Sequence, residues 1–351
     1  MSNNKHIEGN ASKRCSTFIV LTASAAFLLF QSLVVGLIPA QVLMVALFLL
    51  LFFAKSLPFG GRLKGARRLA VALLPFIVFE VCYDWMRLYP NYLVNPIDVR
   101  GLYDAEASLF GITPPTVGGD LHSPPITLPE YFHAHHNTLA DLLSGLAYLC
   151  WVPGPMALGL WLFFTGRRRE YLHFAVAFLV VNWIGFAIYY IHPAAPPWYV
   201  IEHGFEPVIG TPGSAAGLLR FDQLVGIPIF QSIYVNNSNI FAAIPSLHAA
   251  YMLVATIYAA SSRCPRWLIA VCALITLGIW FAAVYTCHHY VIDVLLGIAT
   301  AILGILLFEC VLMRLRPTQR FMAAYERYVS HTAPCQTRRR SPSPTQPCAT
   351  R

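Results

Sequence analysis

Long apolar runs separated by short polar or turn-forming stretches set the character of this chain. Eight of them approach the roughly 20 residues that a helix needs to cross a bilayer core: Thr17–Ile38, Pro39–Ala54, Leu69–Leu88, Leu142–Thr165, Tyr171–Ile191, Ala242–Ser261, Trp267–Thr286 and Tyr290–Leu315. The pattern predicts an all-α, polytopic transmembrane bundle of about eight spans. Two places carry breaks. The turn-like Gly36–Gln41 region leaves the first two runs open to being one broken element. Pro153, Gly154 and Pro155 predict a kink or a re-entrant piece within Leu142–Thr165. The polar stretch Met1–Ser16 precedes the first run without a small-residue cleavage site, so that run reads as a retained span rather than a secretory signal.

Composition supports this class. Of 351 residues, 57% are hydrophobic and 11% charged, against about 25% charged in a soluble domain. The net charge of +8 raises the question of nucleic acid, and its distribution answers it. With the amino terminus cytoplasmic and eight spans threaded, 21 of the 24 basic residues fall inside, and only Arg87, Arg100 and Arg220 fall outside. This is the positive-inside pattern, so the charge reports topology and both termini are expected in the cytoplasm. The expected organisation is a cytoplasmic segment over 1–16, N-terminal spans over 17–88, an extracytoplasmic loop over 89–140, a catalytic membrane core over 141–315 and a disordered basic cytoplasmic tail over 316–351. Short loops and the lack of large appended domains point to a bacterial inner membrane, or a Golgi-type membrane if the source is eukaryotic.

Two long outer loops, Tyr89–Ala140 and His192–Phe241, are rich in turn residues, and loops of that length in a compact protein usually carry function. The nine cysteines are scattered with no CxxC spacing, so neither a disulfide framework nor a zinc site is indicated. His133, His135 and His136 have no nearby carboxylate to complete a metal site, and no metal or cofactor is expected. Trp183 and Tyr189 read as aromatic belt anchors.

Candidate chemistry converges on one membrane face. Pro245-Ser246-Leu247-His248 opens the sixth run from outside, His289-Tyr290-Val291-Ile292-Asp293 opens the eighth, and His192-Pro193-Ala194-Ala195-Pro196-Pro197-Trp198-Tyr199 closes the fifth. Positions 248 and 289 are separated by one helix inward, a short turn and one helix back, so topology alone brings the two histidines to the same side. His289 and Asp293, four apart, share a helix face. There a carboxylate can accept the imidazole N–H, fix its tautomer and leave the other nitrogen free to attack. An aspartate one turn into a span is also costly without a partner or a role. The alternative is a pair of interfacial polar residues. His248, in a first helical turn whose N–H groups favour a phosphate, suits a general acid.

Together these motifs resemble the type 2 phosphatidic acid phosphatase superfamily, and within it the inositol phosphorylceramide synthase branch, over about Leu142–Gly304. The resemblance implies a six-helix catalytic core and transfer through a covalent intermediate without metal. It makes His289 the nucleophile that forms a phosphohistidine, Asp293 its orienting partner and His248 the acid at the leaving group. The chain departs from the general pattern where a cationic cradle is expected: Ala282 and Ala283 stand in place of Ser-Arg, and His192-Pro193 in place of a basic motif. Substrate-binding candidates are therefore Arg87 first, then Arg220 and His192, with Ser246 inside its signature. A phosphodiester carries less charge than a terminal phosphate, which favours a lipid phosphotransferase acting on membrane lipids. A lipid phosphate phosphatase using water is the alternative. A proton-relay transporter is a third reading, but no chain of charges crosses the bilayer and no repeated halves are visible.

Overall fold

The computed structural model describes residues 2–54, 65–113 and 124–330. In chain order its main helices are α1 (Ser2–Phe30, continued by a π-helical turn over Gln31–Val35), α2 (Pro39–Phe52), α3 (Ala66–Ala72), α4 (Leu74–Trp85), α5 (Arg100–Phe110), α6 (Leu128–Ala134), α7 (Thr138–Tyr148), α8 (Pro153–Phe164), α9 (Arg168–Ile191), α10 (Pro197–His203), α11 (Leu219–Val225), α12 (Ile229–Tyr234), α13 (Leu247–Ser261), α14 (Arg266–Tyr285), α15 (Val291–Leu306) and α16 (Arg316–Ser330). Among the described residues only isolated bridges interrupt this all-helical pattern.

Apolar length decides which helices can cross a membrane unaided. Among the described residues four qualify: Cys15–Val35, Arg168–Ile191, Arg266–Tyr285 and Val291–Arg314. The number rises to six if two bent pairs each count as one span: Ala66–Ala72 with Leu74–Leu88, and Thr138–Tyr148 with Pro153–Phe164, both bent by 44°. Pro75 and Pro153 begin the second halves of these pairs. A proline lacks the N–H of the helical ladder and clashes with the carbonyl four residues back, which produces such bends. Of the eight runs expected near span length, four to six are matched by helices long enough to cross. The Pro39–Ala54 and Ala242–Ser261 runs yield helices of 14 and 15 residues, or roughly 21–23 Å at 1.5 Å per residue. The first two runs are separate helices, broken at Gly36, whose φ of +104° belongs to glycine.

α9 is the hub. Of its apolar window 61% is buried, against 6% for the first helix. Its Tyr171, Phe174 and Phe178 pack against Phe76, Phe79 and Tyr251 of α4 and α13. Buried Asn182 is satisfied by accepting from the Tyr251 hydroxyl at 2.8 Å and donating to the Phe178 carbonyl at 2.8 Å, as an amide in an apolar interior must be. α13 packs on α8, α9, α14 and α15.

Two further expectations change. The outer loops contain helices α5, α6 and α10–α12. The tail is helical over 316–330, where α16 buries Met322 and Val329 and the Tyr325 hydroxyl donates to the Val71 carbonyl at 2.6 Å. The basic cluster at 338–340 lies outside the described residues.

Candidate active site

The histidine pair sits where two helices exchange ends. α14 stops at Tyr285, and Cys287 adopts the left-handed region at φ +62°. The N–H groups of His288 and His289 then both return to the Ala283 carbonyl, at 3.0 and 2.9 Å, the closure expected of a helix ending in a left-handed residue. Tyr290 turns the chain out, and α15 begins at Val291. Two carboxylates satisfy its free N–H groups. Asp293 Oδ2 accepts from the Tyr290 N–H at 2.8 Å, and fully buried Glu106 of α5 accepts from the Val291 and Ile292 N–H groups at 2.9 and 3.1 Å. Burial raises the Glu106 pKa, opposed by those two bonds, and an anion at a helix start is favourable.

α13 is fastened to the same point. The Ser246 hydroxyl caps it by accepting from the Ala249 N–H, while the Ser246 N–H donates to the Asp293 carbonyl at 2.9 Å. Gly297 lets α15 approach closely: a Cβ there would lie 2.1 Å from the Ser246 carbonyl oxygen. The result is His248 Nδ1 at 3.1 Å from His289 Nε2. His289 Nδ1 lies 3.0 Å from the Ala243 carbonyl oxygen and 3.5 Å from Asp293 Oδ2. The network assigns the Nδ1 proton to His289, since a carbonyl can only accept. Nε2 keeps its lone pair and receives the bond from His248. The expected role of Asp293 as principal acceptor is therefore shared: the Ala243 carbonyl holds the N–H, because Oδ2 is committed to Tyr290. Asp293 remains a fully buried carboxyl group beside the ring, its Oδ1 without a partner among the described residues.

A cavity of about 460 Å³ opens over the pair, lined by His248, His289, His288, Arg87, Tyr234 and the polar run Asn236–Asn239. Aromatic rings hold the histidines: His248 stacks on Tyr148 and meets Trp151 at a tilt, and His288 stacks on Tyr234 with centroids 4.5 Å apart. Burial is the main cause that pushes the His288 pKa down to about 3, with His289 adding repulsion, and its Nε2 donates to the Ala215 carbonyl. Trp198 and Tyr189 also line the cavity and are buried. The reading of Tyr189 as a belt anchor is thus corrected, while Trp183 is exposed.

The substrate-binding candidates separate. Arg87 reaches the cavity, pairing with Asp84 at 2.6 Å and bonding the Ser238 hydroxyl at 2.9 Å, with no partner for Nη1 among the described residues. Arg220 does not: its Nε is held by Asp141 Oδ1 at 2.6 Å, away from the cavity lining. His192 pairs with Asp98 at 3.2 Å, and the segment after it ties Asp98, Phe241 and Cys287 together through backbone bonds. Ser246 is a cap, fully buried. Sequence reasoning missed His288, Tyr234 and Asn239, whose Nδ2 is a buried donor without a partner. The double histidine at 288–289 and the run Asn236-Asn237-Ser238-Asn239 were the available signals.

Residues 121–307 match the family model described as the PAP2 superfamily. The chain is 53% identical over 313 residues to the phosphoinositol dihydroceramide synthase of Bacteroides thetaiotaomicron, covering 89% of this chain and 98% of that protein. It is 32% identical over 186 residues to the inositol phosphorylceramide synthase of Candida albicans, and 28% identical over 241 residues to the inositol phosphorylceramide synthase catalytic subunit AUR1 of Saccharomyces cerevisiae. These matches span 38% and 55% of the two fungal proteins. No solved structure matches the chain. An all-helical membrane enzyme with paired histidines at a capped helix exchange, the chain belongs to the PAP2 superfamily.

Proposed function

We propose that this protein is an integral membrane lipid phosphotransferase that moves a phosphoinositol-type headgroup from a glycerophospholipid to a ceramide-type alcohol through a phosphohistidine at His289. The observation that carries this is the 3.1 Å contact between His289 Nε2 and His248 Nδ1 over an open cavity, with His289 Nδ1 held by a carbonyl. In the first step Nε2 attacks phosphorus, the P–O bond to the diacylglycerol breaks, and His248 gives its proton to the leaving oxygen. In the second, the acceptor hydroxyl attacks phosphorus, its proton passes to His248, and the N–P bond breaks. Asp293 steadies the positive charge on His289. Arg87 Nη1, Asn239 Nδ2 and the Tyr234 hydroxyl supply donors in place of the missing cationic cradle, which suits the single charge of a phosphodiester.

The chain threads the membrane eight times in this reading, with α2 and α13 as the short crossings around a six-helix catalytic core. Both termini are cytoplasmic and the site faces the other side, a topology supported by the one-sided placement of 21 of 24 basic residues. The acceptor reading is supported by the 53% identical relative, a phosphoinositol dihydroceramide synthase. Turnover of labelled phosphoinositol lipid, with and without dihydroceramide, tests it. Product that requires the ceramide and vanishes in His289→Ala is the expected result. Release of soluble headgroup or phosphate regardless of acceptor would instead make the protein a phosphatase.

A further inference from the structure

A second cavity, of about 290 Å³, lies beside the catalytic one between α1, α2 and α4. Its walls are apolar, formed chiefly by Phe27, Met44, Leu47, Phe48, Leu73 and Ile77. Along α2 the lining runs from Ala40 to Leu51, roughly 16 Å of helix, so the slot is long as well as greasy. The two cavities share Ile38, Ala40, Phe79, Glu80, Asp84 and Val152 as lining, and are therefore neighbours across one wall.

The junction holds two carboxylates one helical turn apart. Asp84 is fully committed: Gln31 and Gln41 donate to Oδ2 at 2.7 and 2.6 Å, and Arg87 pairs with Oδ1 at 2.6 Å. Glu80 takes part in none of the hydrogen bonds or ion pairs among the described residues, yet it lines both cavities. Glu80 is exposed, but in a membrane-spanning helix an exposed carboxylate beside an apolar wall faces a cavity or lipid rather than bulk water, and is costly unless something donates to it. We propose that the apolar slot seats a hydrocarbon chain of the acceptor lipid, and that Glu80 accepts hydrogen bonds from the acceptor's amide N–H and non-reacting hydroxyl. This deepens the transferase reading and rests on it for the acceptor's identity.

Three features select the acceptor over the donor. The slot shares a wall with the cavity that holds the histidines, so a chain lying in it leaves a polar head on the side of that cavity. An ionised carboxylate accepts only. A ceramide-type lipid offers an amide N–H and a second hydroxyl beyond the one that reacts, at the point where its chains begin, whereas the diacylglycerol part of the donor offers neither. The donor is a phosphodiester anion, which a carboxylate repels, while the acceptor is neutral.

Binding to the His289→Ala protein, which cannot turn over in this mechanism, tests the proposal independently of transfer. The probes are labelled N-acyl sphinganine, a long-chain primary alcohol lacking the amide, and phosphoinositol lipid, each titrated into the full-length protein in nanodiscs. Adding Glu80→Ala is expected to raise the Kd for N-acyl sphinganine by on the order of tenfold or more, with the simple alcohol and phosphoinositol lipid moving less than about twofold. The unchanged alcohol shows that the variant is folded. Glu80→Gln, which keeps a carbonyl acceptor, is expected to recover part of the loss. Leu47→Trp is expected to weaken both single-headed lipids. Equal effects of Glu80→Ala on sphinganine and alcohol, an effect confined to the phosphoinositol lipid, or Leu47→Trp without effect would each overturn the assignment. Loss of acceptor-dependent transfer with these binding results intact would count against the transferase reading alone.

Discussion

A methyl group at Gly297 would land 2.1 Å from the Ser246 carbonyl oxygen, where contacts below 3.0 Å are essentially never seen. Relieving it requires a movement of about 0.9 Å between α15 and the start of α13. The obstacle is backbone, so no side chain can swing aside. His248 lies two residues after Ser246 and Asp293 one turn before Gly297. A separation of that size takes the His248–His289 contact from 3.1 Å towards 4 Å, beyond hydrogen-bond range. Misplacement by about 1 Å typically costs on the order of 100-fold in rate, about 2.7 kcal/mol of transition-state stabilisation. Overpacking itself costs roughly 1–3 kcal/mol of stability. The assay is kcat/KM for headgroup transfer by Gly297→Ala in nanodiscs, alongside its thermal unfolding. Gly159→Ala is the control, because its Cβ would meet side-chain rings rather than backbone, Tyr171 at 3.2 Å and Phe174 at 3.5 Å, and it should lose less than about threefold. A folded Gly297→Ala protein within threefold of wild type would refute the claim that this close approach sets the histidine geometry.

Other expectations follow from the same frame. Glu106→Gln removes the charge that holds the Val291 and Ile292 N–H groups and should lower the unfolding temperature by an amount corresponding to about 1–3 kcal/mol. An unchanged melting curve would deny the capping role. Arg87→Ala should raise the donor KM on the order of tenfold while leaving acceptor KM nearly fixed, and steady-state kinetics with each lipid varied in turn would reveal the opposite split. His288 has a folded pKa of about 3 against an ordinary value of 6.5. The unfolded chain therefore binds a proton that the folded one refuses between those values. Its contribution to stability is fully present above about pH 6.5 and is lost as pH falls towards 3, at up to about 1.4 kcal/mol per pH unit. Wild-type melting should fall relative to His288→Phe between pH 7 and 5; parallel curves would contradict the assignment of a neutral, buried His288.

The convergence of His248 and His289 was legible because it needs only helix lengths and a turn: α13 runs in, Arg263 turns at φ +52°, and α14 runs back. The i, i+4 placement of His289 and Asp293 was legible for the same local reason. What escaped depends on contacts far apart in sequence. Arg220 looked like a free outer cation, but Asp141, 79 residues away, captures it. Asp293 looked like the obvious partner of His289, yet the Ala243 carbonyl, 46 residues away, is closer. A backbone carbonyl is carried by every residue and leaves no compositional mark. Helix length was less legible than helix number, because apolar runs such as Pro39–Ala54 include residues outside the helix, here ending at Phe52. The helical character of 316–330 was hidden by its polar composition, since only Met322 and Val329 are buried there, against the body of the protein.

The most direct test of the account is to trap the intermediate at His289. Purified protein is mixed with phosphoinositol lipid labelled at phosphorus, without acceptor, quenched in alkali within one turnover and digested for peptide mapping. The account predicts an acid-labile label on the peptide carrying His288 and His289, assigned to His289 by fragmentation. That label should disappear in His289→Ala and discharge on adding dihydroceramide. Wild-type protein that transfers the headgroup efficiently with no label on this peptide, or with the label on His248, would contradict it.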